Sequence, residues 1–220
     1  MKYAKRMSLF VVLLLMFAGG CGHSAKPGYV PVTHVTDGDT IDVKINGKVE
    51  TVRLLLIDTP ETVHPNMPMQ PFGPAAHRFT EHLLTGKKVK LEVGKDPRDK
   101  YGRLLAYVYT EKGKMVNELL LKKGLARVAY VFPPDTKYVD RFRKIENSAR
   151  AAELGIWSVK GYATSHGFIT TLCQIKGNVT KSGQRIFHVP TDPYYAQTKA
   201  EAYFCTKKAA EAAGFRAPHY

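Results

Sequence analysis

From Tyr29 the chain settles into alternation. Tyr29 to Val35 reads as a strand, and Asp37-Gly38-Asp39 as a turn. Between Thr40 and Ile45, the apolar Ile41, Val43 and Ile45 alternate with polar residues, the period of a half-buried strand. Asn46-Gly47 is a two-residue hairpin signal, and Val49 to Ile57 returns as the next strand. Three strands in a meander are expected.

The period then changes. Pro74 suits a first helical position, Ala75, Phe79 and Leu83 recur at every fourth residue, and Gly86 can stop a helix. Lys87 to Val93 and Leu104 to Tyr109 read as two further strands. Met115 to Lys123 reads as a short helix with Gly124 past its end. Residues 135–154 read as a longer helix, with Phe142, Ile145, Ala149 and Ala152 on one face and Trp157 packing over its end. Five strands with helices after the third and fifth predict an α+β fold: a five-stranded OB-type Greek-key barrel with three helices. A composition break at Gly161 to Gly167 separates it from a small module over 168–220, which holds Cys173 and Cys205. The larger unit is expected over 29–160, folding and working apart from that tail.

The first residues follow another logic. Lys2, Lys5 and Arg6 precede an unbroken apolar run from Leu9 to Phe17, then Ala18-Gly19-Gly20-Cys21. That is a signal-peptide pattern over 1–20, with a polar tether over 21–28. The run is shorter than the ~20 residues of a membrane span. Cys21 directly after small residues resembles a bacterial lipoprotein signal, so lipidation at Cys21 and a membrane anchor facing the extracellular side are expected. Ordinary secretory cleavage with a free Cys21 thiol is the alternative.

Charge adds a partner class. Lys and Arg total 33 against 19 Asp and Glu, a formal net charge of +14 in 220 residues. Residues 1–20 carry three cations and no anions, so +11 remains without them. Such a surface favours polyanions: nucleic acid, anionic lipid or an acidic wall polymer. It excludes an acidic solvating protein, and the hydropathy excludes a multi-span membrane protein.

The chemistry-bearing residues sit in three short blocks: Asp37-Gly38-Asp39-Thr40, Arg53 to Glu61, and Asp99-Lys100-Tyr101-Gly102-Arg103. Asp39 follows a tight turn and Asp58 ends an apolar strand. Carboxylates that terminate strands at one rim can converge on a hard cation such as calcium, which takes 6–8 oxygen ligands. Glu61, in a Pro-fixed turn, can serve as a general base on water. Arg53 and Arg103 carry planar forks that match phosphate oxygens. Together they suit phosphodiester hydrolysis. One difficulty stands: Arg53 and Asp58 are an odd number of positions apart, so a regular strand would put them on opposite faces. A bend or bulge near Leu55–Ile57 is required if both serve one site.

These blocks resemble those of the staphylococcal nuclease (thermonuclease) family. Met115-Val116-Asn117-Glu118, Gly124-Leu125-Ala126, Val128-Ala129-Tyr130 and Ile156-Trp157-Ser158 extend the resemblance over about residues 29–160. The resemblance implies an OB-type barrel and calcium-dependent cleavage of DNA and RNA, breaking the P–O5′ bond to leave 3′-phosphate ends. It implies that Asp39 and Asp58 give carboxylate ligands and Thr59 a carbonyl to the metal, with Glu61 as base and Arg53 and Arg103 on the reacting phosphate. It further implies that Lys100 and Tyr101 meet a neighbouring phosphate and that Tyr130 stacks near a base. Phe132 stands where the best-known member has tyrosine. A noncatalytic nucleic-acid-binding or wall-associated protein is the alternative, disfavoured by the complete set. His64 and His77 read as surface or helix-face residues, and Lys87-Lys88 and Lys122-Lys123 as solvated faces that attract polyanions.

The tail is less specific. Cys173 and Cys205 suit a disulfide, worth roughly 3–4 kcal/mol by chain entropy. Zinc held by Cys173, His188, Cys205 and His219 is the rival, but lacks the close cysteine pairs of ordinary zinc modules.

Overall fold

The computed structural model describes residues 28–62 and 67–219. Residues 1–27, with Cys21, and His64 lie outside them.

Strands β1 (Tyr29–Asp37), β2 (Thr40–Ile45) and β3 (Lys48–Leu54) form the expected meander. Asn46 and Gly47 both take positive φ in the hairpin between β2 and β3, as a two-residue turn matching strand twist requires. After β4 (Ile57–Asp58) comes α1 (Gly73–Leu84), then β5 (Lys88–Arg98), β6 (Leu104–Thr110), α2 (Val116–Lys122), β7 (Arg127–Val128) and α3 (Val139–Ala151). Five strands close into a barrel in the order β1-β2-β3-β6-β5, with β3 and β6 parallel. Ile41, Val43, Val52, Val89, Ala106 and Val108 belong to the core and are inaccessible to solvent, and Leu120 and Phe142 cover it from the helices.

Two helix faces differ from the pattern. On α1 the buried row is Ala76, Thr80 and Leu84, one position along from Ala75, Phe79 and Leu83. The helix crosses the turn before β2 closely: a Cβ on Gly38 would lie 2.7 Å from that of Ala76. Small side chains are needed there, and the Thr80 hydroxyl donates to the Gly38 carbonyl at 2.6 Å. On α3, Phe142 and Ala149 are buried, but Ala152 is exposed where the helix ends. Trp157 packs beside Ile156 and Tyr162, with the Arg150 guanidinium 4.1 Å above its ring.

The tail is folded and docked. A hairpin of β8 (Ala163–Thr164) and β9 (Gly167–Phe168) occupies the composition break. Then β10 (Ile175–Val179), β11 (Arg185–His188) and β12 (Ala202–Phe204) form a sheet in the order β11-β10-β12, followed by α4 (Lys207–Ala212). A disulfide joins Cys173 to Cys205, so zinc does not use these thiols. The separate-units expectation requires correction at the contacts. The Tyr162 hydroxyl donates to the Pro71 carbonyl at 2.5 Å, and its ring packs on Phe72.

Candidate active site

The strand parity that set Arg53 against Asp58 is broken where it had to be. β3 ends at Leu54, Leu55 and Leu56 make a turn, and β4 begins at Ile57. Leu56 takes φ 62°, a left-handed conformation that costs a non-glycine residue about 1–3 kcal/mol. Buried Asn117 offsets that cost. Its Nδ2 donates to the Leu55 carbonyl at 2.9 Å, and its Oδ1 accepts the Val108 N–H at 3.1 Å. Ala129 N–H donates to the Leu56 carbonyl at 3.1 Å. Asn117→Leu would strand two buried backbone groups. It should cost about 2–5 kcal/mol in urea unfolding; a loss below about 1 kcal/mol would show that the turn does not depend on this amide.

The turn brings the carboxylates and Arg53 together. Arg53 Nη1 lies 2.8 Å from Asp39 Oδ2, and Nη2 lies 3.2 Å from Asp58 Oδ1. Nη1 also donates to the Ile57 carbonyl at 3.1 Å. The Thr59 N–H donates to Asp39 Oδ2 at 2.8 Å, so Asp39 and Thr59 are adjacent. Asp58 is shared with a residue the motifs did not flag: Arg127 donates to Asp58 Oδ2 through Nη2 at 2.8 Å and Nε at 3.1 Å.

Asp37 completes the cluster. Its Oδ1 accepts the Gly38 N–H at 2.7 Å and the Thr62 hydroxyl at 2.6 Å, and its Oδ2 accepts the Thr62 N–H at 3.1 Å. Burial, then the charge of Asp39, raises the Asp37 carboxyl. Asp58 is raised by the same two causes, against the pull of Arg53 and Arg127. Glu61 is pushed up to about 8 by burial, by its hydrogen bond with Asp37 and by the charges of Asp37 and Asp39. Three carboxyl groups raised by burial and by neighbouring carboxylates thus share this rim.

Arg103 is aimed by a different device. Asp99 Oδ2 accepts its Nε at 2.7 Å, while Asp99 Oδ1 accepts the Arg103 and Tyr101 N–H groups at 3.0 Å. Burial works to raise the Asp99 carboxyl, but these bonds and the Arg103 charge outweigh it and hold the carboxyl low. Gly102, at φ 83°, closes this loop. Arg53 pairs with Leu105 across β3 and β6, and Arg103 directly precedes β6, so the loop that aims Arg103 leads into the strand beside Arg53.

Exposed rings surround these cations. Tyr101 is 72% exposed, with Lys100 Nζ at 5.0 Å and Arg103 Cζ at 5.4 Å from its ring centre. Tyr130 is 58% exposed, with Arg53 Cζ at 5.7 Å, and Phe132 is 68% exposed. Such rings can stack on unpaired bases beside a cationic groove. His77 lies apart on α1, its Nε2 4.0 Å from Glu81.

The donor set suits a hard divalent cation. Two carboxylates whose mutual charge raises Asp58 lie beside the Thr59 backbone, and all these donors are oxygen. Among the described residues no three His, Cys, Asp or Glu side chains form a ready-made cage, so water and substrate oxygens would complete the shell.

Asp37, Asp99, Asn117 and Arg127 are parts of the site to which the motifs assigned no role. Asp37, Asp99 and Asn117 lay inside the quoted blocks, where only their neighbours carried chemistry. Arg127 gave no local signal, because its partner Asp58 is 69 positions away.

Residues 51–159 match the family model described as staphylococcal nuclease homologue, and residues 171–217 match one described as ArfC. SPbeta prophage-derived endonuclease YokF of Bacillus subtilis is 56% identical over 140 residues, covering 63% of this chain and 47% of YokF. Endonuclease YncB of the same organism is 55% identical over 140 residues, covering 63% of this chain and 66% of YncB. The thermonuclease of Staphylococcus intermedius is 43% identical over 154 residues, covering 67% of this chain and 90% of that protein. The chain thus spans about half of YokF and just under two thirds of YncB.

Proposed function

The chain belongs to the staphylococcal nuclease family, and on that premise we propose that it is a calcium-dependent endonuclease of low sequence specificity, hydrolysing DNA and RNA to 3′-phosphate ends. The observation that carries this reading is Arg53 bridging Asp39 and Asp58 at 2.8 and 3.2 Å, with Glu61 hydrogen-bonded to Asp37 in the same carboxylate cluster.

Asp39, Asp58 and the Thr59 carbonyl would hold calcium, which offsets charge on the scissile phosphate when bound. Glu61 takes a proton from the attacking water, whose oxygen bonds to phosphorus as the P–O5′ bond breaks. The 5′ oxygen leaves and is protonated by solvent. Arg53 and Arg103 donate to the phosphate oxygens as charge grows in the five-coordinate transition state. Lys100 and Tyr101 hold the neighbouring phosphate, and Tyr130 offers a face to a base. The net charge of +11 that remains without residues 1–20 adds sequence-independent attraction that weakens with salt.

Labelled DNA and RNA oligonucleotides, incubated with calcium, magnesium or chelator and read by mass spectrometry, test this reading. Cleavage in calcium to 3′-phosphate ends is expected, with little turnover in magnesium, which demands stricter octahedral geometry. Products bearing 5′-phosphates would contradict it. We further propose an extracellular, lipid-anchored location through Cys21. Cys21→Ser should release the protein into the medium or block its processing, and unchanged membrane retention would oppose the anchor.

A further inference from the structure

We infer that the C-terminal module is a positioning element of the active site: β12 holds the segment that fixes the main chain of Glu61. This rests on the nuclease reading, since it names what aims the base of that reaction.

Glu61 lies between β4 and α1, outside any strand, yet its main chain is paired. Its N–H donates to Gln70 Oε1 at 2.9 Å, and the Gln70 N–H donates back to the Glu61 carbonyl at 2.9 Å. The preceding residue, Met69, is held from the other side. Its N–H donates to the Glu201 carbonyl at 2.8 Å, and the Tyr203 N–H donates to its carbonyl at 3.0 Å. Met69 thus forms a parallel bridge to Ala202 at the open edge of β12. Its side chain packs against the module core that includes Phe187 and Phe204. Glu61, Gln70, Met69 and β12 form one continuous hydrogen-bonded chain, and the disulfide at Cys205 ties down the end of β12. From the α1 side, a Cβ at Gly73 would lie 2.7 Å from the Glu61 carbonyl, so the start of α1 also crosses this main chain closely.

The tail reaches the site at a second point. The Ser165 carbonyl, in the β8–β9 turn, accepts Arg127 Nη1 at 3.2 Å, and the Phe168 ring lies 5.5 Å from Arg127 Cζ. Arg127 is the residue that grips Asp58. A general base works only when its carboxylate stays within hydrogen-bond reach of the attacking water, and a displacement of about 1 Å can cost about 10²-fold in rate. A module that braces Glu61 and Arg127 therefore acts on the chemical step.

Three variants of the full chain separate positioning from bulk stability. Gln70→Met keeps the length but removes the acceptor for the Glu61 N–H. Met69→Ala removes the side chain anchored in the module. Val89→Ala loosens the barrel core on β5, where Val89 is buried and pairs with Val30 and Thr110, away from the module. Well below the melting temperature, Gln70→Met should lower kcat about tenfold or more and Met69→Ala several-fold, with KM and calcium affinity unchanged. Val89→Ala should lower Tm and leave kcat at the wild-type value. Hydrogen exchange at the Glu61 amide should quicken in the first two variants and not in the third. Wild-type kcat in Gln70→Met and Met69→Ala, or losses that track Tm in all three, would overturn the inference while leaving an active wild type as a nuclease. A folded wild type that cuts nothing would remove the nuclease reading and this inference with it.

Discussion

Arg53→Lys should lower kcat by about 10²–10³ while leaving a folded chain. The charge survives, but the fork does not. Arg53 reaches Asp39 and Asp58 with different nitrogens, and Nη1 also serves the Ile57 carbonyl. A lysine ammonium is a point charge on a flexible stem and cannot span both carboxylates while presenting paired donors to a phosphate. Two effects should separate in the measurements. The rate falls because the transition state loses aligned donors, and Tm in chelator falls because Asp39 and Asp58 repel each other with less opposition. Calcium should restore much of the stability and little of the rate. A Lys variant with kcat within about threefold of wild type would mean that Arg53 is only a structural bridge.

Glu61→Gln should lower kcat by about 10²–10⁴, the usual range for a general base, and in chelator at alkaline pH it should make the protein more stable. Burial and its carboxylate neighbours push Glu61 from 4.5 up to about 8. The folded chain therefore binds this proton more tightly than the unfolded chain does. The stabilisation is full below about 4.5 and is lost as pH rises through about 8. Glutamine has no proton to lose, so the variant should match wild type near pH 4 and melt a few degrees above it near pH 9. Gaining stability while losing activity marks a residue kept for chemistry at a cost to the fold. Equal melting curves for the two proteins across that range would mean that Glu61 does not share the carboxylate cluster.

Much of this was legible along the chain because it is local. Alternation from Thr40 to Ile45 and the Asn46-Gly47 turn are written in consecutive residues, and the observed register follows them. The parity of Arg53 and Asp58 even demanded the break that Leu55 and Leu56 supply. What was not legible is long-range. Asn117 steadies Leu55 from 62 positions away, and Arg127 meets Asp58 from 69; no periodicity reports such a pair. The row that α1 buries depends on how closely it crosses Gly38, which spacing alone does not reveal. The tail read as independent because its cysteines and composition set it apart. Its bond from Tyr203 to Met69 is main chain to main chain and leaves no mark in side-chain identity.

The most direct measurement is digestion of supercoiled plasmid by the purified chain in calcium and in excess chelator, at one salt concentration, beside Arg53→Lys and Glu61→Gln. The wild type should nick and then degrade the plasmid in calcium and leave it intact in chelator, with both variants nearly silent in either buffer. Equal digestion in chelator, or full activity in both variants, would contradict a metal-assisted site built on Asp39, Asp58, Arg53 and Glu61.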